Sequence, residues 1–124
     1  MSPELEGKLV NKYPKLFRQI NLPASQSCMH WGISTGDGWF HIIDQLCERL
    51  MQLDHPVEFA QIKEKFGLLR VYLDNYSTES DDLLAWAERA SGTTCERCGC
   101  SGKLNKRGWQ SVRCQGCRKE EGAI

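Results

Sequence analysis

The side chains best suited to chemistry in this sequence gather near its C-terminus. Cys95-Glu96-Arg97-Cys98 is followed, after fifteen residues, by Cys114-Gln115-Gly116-Cys117. This is C-x2-C-x15-C-x2-C, a spacing at which two turns each offer two thiolates to one ion. Zinc takes four such soft donors in a tetrahedron. A site closed by four cysteines leaves no position for an activated water, so its chemistry is folding rather than catalysis. The expectation is one structural Zn2+ held by Cys95, Cys98, Cys114 and Cys117, with a short hairpin between the pairs; two disulfides are the competing reading. Cys28, Cys47 and Cys100 are surplus to that site and are expected to be small buried apolar groups or inert thiols.

A second set of reactive residues lies on a helix. Asp37, His41, Asp44 and Glu48 fall at i, i+4, i+7 and i+11 and so share one side. A histidine flanked by carboxylates can act as a base, and Cys28 in the preceding loop, near His30, can act as a nucleophile. A nucleophilic cysteine needs an electropositive setting, however, and this face is acidic. The expectation is a solvated helix face and no enzyme. The chain holds no serine elbow, phosphate loop, H-E-x-x-H or dinucleotide fingerprint. The turn Thr35-Gly36-Asp37-Gly38-Trp39 can cradle an anion at a helix start, or simply let the chain turn and bury its tryptophan; the second reading is preferred.

The elements that position these residues follow from periodicity. Leu5, Leu9, Tyr13, Leu16, Phe17 and Ile20 recur at helical spacing, but Pro14 cannot lie inside a helix. A helix over about 3–13 and a second turn from Pro14 are expected, then a long loop over 21–36. Trp39, Ile42, Ile43, Leu46, Leu50 and Leu53 form one apolar stripe, widened by Cys47, with Asp37 as its N-cap. Residues 57–74 read as a β-hairpin turning at Gly67. A helix over about 81–90, capped by Ser80, buries Leu83, Trp86, Ala87 and Ala90.

A tight turn at Phe66-Gly67 sets the hairpin register. Ile62 then faces Val71 and Ala60 faces Leu73 on the core side. On the outer side Lys63 lies opposite Arg70, and Gln61 opposite Tyr72. Like charges directly opposite are destabilising, and a protein tolerates them where an acidic partner, or a neighbouring acidic residue, neutralises them. Lys63, Lys65, Arg70 and Tyr72 are therefore candidate binding residues. Lys106, Arg107 and Trp109 between the cysteine pairs are others, together with Lys103 and Arg113, since basic residues around an aromatic can hold single-stranded nucleic acid. Trp109 packed over the metal is the competing reading.

The chain has 124 residues, room for one domain and a small metal-held module; 40% hydrophobic and 26% charged residues are ordinary for a globular protein. The expected fold is α+β, with helices packed on a β-hairpin over 1–91 and a zinc ribbon over 92–124. Residues 1–91 carry nine Lys/Arg against thirteen Asp/Glu, and residues 92–124 seven against three. Four thiolates on Zn2+ remove two of those positive charges, leaving a weak basic bias. No apolar run approaches membrane-spanning length, and Met1-Ser2-Pro3-Glu4 does not open a secretory signal. Cysteines used as thiols fit a reducing cytoplasm.

Gly36-Asp37-Gly38-Trp39-Phe40, the run from Gln61 to Tyr72 (QIKEKFGLLRVY) and the Cys95/Cys98 knuckle, with Tyr13-Pro14-Lys15-Leu16-Phe17 before them and Gly108-Trp109 after, resemble in their order a set of small proteins of tailed bacteriophages and prophages. Related chains carry histidine near the final ligand position, where this one has Cys117. The resemblance implies a phage origin, a host-cell cytoplasmic location and no particular activity. The functional expectation is a non-enzymatic phage accessory protein that binds and modulates a host or phage macromolecule, foremost a protein such as a host-defence complex. A nucleic-acid-binding module is the alternative, and an enzyme working from the helix face the third. Nothing in the sequence sets an oligomeric state.

Overall fold

The computed structural model describes residues 1–106 and 108–121. Helix α1 spans Pro3–Lys12. Proline is tolerated at a helix start, where its missing N–H is not needed. Ser2 Oγ accepts the Leu5 N–H at 3.4 Å and caps the first turn. Pro14 ends the helix, and 3-10 turns follow at Arg18–Asn21 and Cys28–Trp31. The expected loop over 21–36 is thus partly ordered. It also contains β1, Ile33–Ser34, which pairs in parallel with the later hairpin, Ile33 beside Ile62. Two residues show no alternation, so periodicity cannot reveal such a strand.

A 3-10 turn at Asp37–Trp39 leads into α2, Phe40–Leu50. The stripe Trp39, Ile42, Ile43, Leu46 and Leu50 is buried, as is Cys47. Leu53 lies beyond the helix and is half-buried. Asp37 is not the cap: Trp39 holds that position for α2 with no side-chain cap bond, Gly36 precedes the 3-10 turn, and Asp37 Oδ1 instead accepts the Ser2 N–H at 2.7 Å.

Strands β2, Glu58–Lys65, and β3, Leu68–Asp74, form the hairpin, and the sheet order is β1-β2-β3. Phe66 and Gly67 both have positive φ, 54° and 86°, as a two-residue turn of the I′ kind requires. Ile62 faces Val71, Lys63 faces Arg70 and Gln61 faces Tyr72, in the expected register. Ala60 does not face Leu73. A bulge between Phe59 and Gln61 puts Phe59 there instead. Phe59 and Ile62 have opposite parity, and the extra residue lets both reach the core. Phe59 is buried against Phe17, ring centroids 4.8 Å apart.

Helix α3 spans Thr78–Ser91, three residues longer at its start than expected. Ser77, not Ser80, is the cap. The two serines form a reciprocal capping box, Ser80 N to Ser77 Oγ at 3.1 Å and Ser77 N to Ser80 Oγ at 2.8 Å. Ala87 is fully buried, with Leu83, Trp86 and Ala90 packed beside it, so one core joins α1, α2, α3 and the sheet. The chain then forms β4, Lys103–Asn105, antiparallel to β5, Ser111–Arg113, and the short α4, Gln115–Glu120. No helix among the described residues is long and apolar enough to cross a membrane.

Candidate metal centre and the surface around it

The first cysteine pair precedes β4, Cys114 follows β5, and Cys117 lies in α4. The β4–β5 pairing therefore folds the chain back and brings the pairs together. The four Sγ atoms lie within 4.8 Å of one another, and Cys98 Sγ is 3.5 Å from Cys114 Sγ. A tetrahedral ion with metal–sulfur bonds of about 2.3 Å needs sulfurs about 3.8 Å apart, so the donor set fits a metal ion and is compatible with zinc. All seven cysteines are free thiols, and the disulfide reading does not hold. The Cys117 N–H donates to Cys114 Sγ at 3.3 Å, which orients that sulfur.

Burial raises the Cys95 thiol, but the backbone donors of Cys114, Cys98 and Arg97 and the Cys98 thiol outweigh it and bring Cys95 down to about 6. Burial and the three neighbouring sulfurs push Cys117 up to about 12. Metal binding requires thiolates, so a cation bound at such a set releases protons. Burial likewise keeps Cys47 uncharged, as expected of a buried apolar group. Cys28 and Cys100 are exposed free thiols, so of the two expectations the buried apolar one does not apply to them.

The first knuckle is seated on the glycine turn before α2. The Gly38 N–H donates to Glu96 O at 2.7 Å, and the Gly36 N–H to Glu96 Oε2 at 2.9 Å. Trp39, buried in the core, donates from Nε1 to Thr94 O at 2.9 Å. A Cβ on Gly38 would stand 2.6 Å from Gly99 N and 2.7 Å from Glu96 C, both backbone, and closer still to Cys95 O. This explains the Gly36-Asp37-Gly38-Trp39 motif: the glycines admit the knuckle, and the tryptophan anchors it. It favours the structural reading of that turn over an anion cradle. Sequence reasoning missed Glu96 and these glycines as partners of the cysteines, although the Gly-x-Gly spacing was the available signal.

A second contact joins the hairpin tip to the module. A Cβ on Gly67 would meet Leu104 Cδ1 at 2.5 Å and the Gln110–Ser111 backbone at 3.2 Å. On either side of this contact stand two aromatic rings in the open, Phe66 at 67% and Trp109 at 83% exposure. With Glu64, Lys65, Gly108 and Gln110 they line one cleft of about 510 Å3. Trp109 therefore does not pack over the metal. Phe66 holds a left-handed backbone that costs a residue with a side chain about 1–2 kcal/mol, yet its ring is not buried in return.

Several other candidates are reassigned. Arg70 is not unneutralised beside Lys63: its Nε lies 2.7 Å from Glu88 Oε1 on α3, an ion contact without hydrogen-bond alignment. Lys63 is half-buried and Tyr72 exposed on the same side of the sheet. Lys65 is exposed, its Nζ 5.8 Å from the centre of the Phe66 ring. Lys103 and Lys106 are exposed, and Arg107 lies outside the described residues. Arg113 is engaged by Glu121 at 2.8 Å and Glu96 at 3.7 Å. On α2, Asp44 is taken by Lys12 Nζ at 3.1 Å and by Tyr13 Oη at 2.8 Å, while His41 and Glu48 are exposed. His30 Nδ1 lies 3.1 Å from Leu22 O. Among the described residues, the four cysteines are the group of three or more metal-type ligands that converges. Comparison of the chain with protein-family models, with curated proteins and with solved structures returns no match.

Proposed function

We propose that the four cysteines hold one structural zinc ion in a C-terminal zinc ribbon, and that the chain is a non-enzymatic phage accessory protein that binds and modulates a host or phage macromolecule. A closed four-cysteine site supplies folding energy when loaded, typically about 10–16 kcal/mol of apparent binding. The observation that carries the binding reading is the Phe66–Trp109 cleft, formed where the hairpin tip meets the cysteine module. Large aromatics left in the open at the rim of a cleft are characteristic of contact surfaces. The like-charged hairpin pair no longer supports this reading, since Glu88 neutralises Arg70.

Two measurements test the proposal. Elemental analysis of freshly purified protein should give about one zinc per chain; less than half an equivalent overturns the metal assignment. The tagged chain should capture a macromolecule from host-cell lysate that Phe66→Ala/Trp109→Ala does not. Equal capture by both proteins, or none by either, overturns the binding surface.

A further inference from the structure

The charges around the aromatic cleft bear on what enters it. The three carboxylates of the cysteine module are occupied: Glu120 by Arg97 at 2.9 Å, and Glu96 and Glu121 by Arg113. Lys103, Lys106 and Lys119 have no carboxylate at ion-pair distance among the described residues, and Arg118 donates to a carbonyl, Lys103 O, at 3.4 Å. Those four cations exceed the charge of −2 that a four-thiolate zinc site would carry. Three of them can be placed along β4. Lys103 and Arg118 line a cleft of about 420 Å3 at one end of β4. Lys106 follows the other end, where the chain runs on to Gly108 and Trp109, and Lys65 stands on the far side of the aromatic cleft. The one acidic group lining that cleft, Glu64, accepts the Gly67 N–H at 2.6 Å.

We infer that the Phe66–Trp109 cleft and the lysines beside it form a stacking site for single-stranded nucleic acid. The inference rests on the binding reading above and narrows the partner's class. Exposed rings can stack unpaired bases, and cations spaced along a strand can follow a phosphate backbone. A duplex hides its base faces from such rings. Protein interfaces are depleted in lysine, which makes a ring pair with Lys65 in its cleft and Lys106 on the adjoining loop a poorer match to a protein partner.

The test is fluorescence anisotropy of the zinc-loaded full chain with a labelled oligothymidine, its uridine counterpart and a duplex. Single strands should bind with micromolar affinity at low salt. If Lys65, Lys103 and Lys106 each meet a phosphate, the log–log salt slope should be about −2, from roughly −0.7 per contact on single strands. Trp109→Ala and Phe66→Ala should each weaken binding about 5- to 150-fold, the range for loss of one stacked base. Lys106→Gln should flatten the slope by about 0.7. Circular dichroism and zinc content of each variant confirm that it is folded; these side chains are exposed, so the fold should persist. No saturable binding at low salt, duplex bound as tightly as single strand, or Trp109→Ala indistinguishable from wild type overturns the inference. Aromatic-dependent capture of a protein from nuclease-treated lysate, without oligonucleotide binding, also overturns it, but leaves the broader binding reading intact.

Discussion

Gly38→Ala probes the joint between the cysteine knuckle and the core. The added Cβ would sit 2.6–2.7 Å from Gly99 N and Glu96 C. Ordinary van der Waals contact needs about 3.5 Å or more, so backbone must move by close to 1 Å. The atoms in the way belong to the knuckle and cannot yield as a flexible side chain would. Such a shift breaks the Gly38-to-Glu96 bond and strains the Gly36-to-Glu96 and Trp39-to-Thr94 bonds. If all three give way, at about 1 kcal/mol each, the loss is roughly 3 kcal/mol. Urea denaturation of the zinc-loaded protein reads this directly. Zinc competition with a chromophoric chelator should show affinity reduced by about 100-fold, because docking contributes about 3 kcal/mol only while the knuckle is formed. Gly7→Ala is the control: its Cβ meets nothing within 4 Å, in the middle of α1, and should stabilise by about 0.5–1 kcal/mol. A Gly38→Ala protein within 1 kcal/mol of wild type, with unchanged zinc affinity, would refute the reasoning.

Two further outcomes follow from hydrogen bonds and charge. Ser91 Oγ accepts the buried Leu69 N–H at 2.9 Å and donates to Glu88 O at 2.6 Å, so Ser91→Ala should cost about 1–3 kcal/mol in urea titrations; a change under 0.5 kcal/mol counts against that role. Arg18 grips Glu58 through two bonds of 2.6 and 3.1 Å, opposite Asp74, and the same guanidinium holds the Glu58 carboxyl below its usual range. A depressed carboxyl stabilises the fold above its unfolded pKa, and the contribution fades as pH falls through the folded value. Arg18→Ala should therefore lower stability only slightly at neutral pH, for a pair this exposed, and not measurably well below about pH 4. A difference that grows on acidification contradicts this account.

Much of the architecture was legible because it rests on local rules. Pro3, Pro14 and the 3.6-residue stripes set α1 and α2, and Phe66-Gly67 set the hairpin register from Gln61 to Lys65. The misses have a common origin. Neither β1 nor the bulge at Phe59 is a local preference: one exists because β2 offers it an edge, the other because Phe17 and the core draw Phe59 inward. The Ser80 cap failed by three residues because two serines cap reciprocally, and either is a credible start.

The candidate site divides along the same line. Cysteine type and spacing alone picked out the four side chains that converge in a geometry able to hold a metal ion, since thiolate chemistry and the reach of a C-x2-C turn allow few other uses. Charge partners were decided only by packing: Glu88 lies on α3, eighteen residues from Arg70 in sequence, and no local pattern pairs them. The meeting of Phe66 with Trp109 was likewise decided only in three dimensions. It depends on Gly67 lying against Leu104 and on Glu96 resting on two glycines far upstream, contacts between segments that do not interact locally and that only close packing brings together.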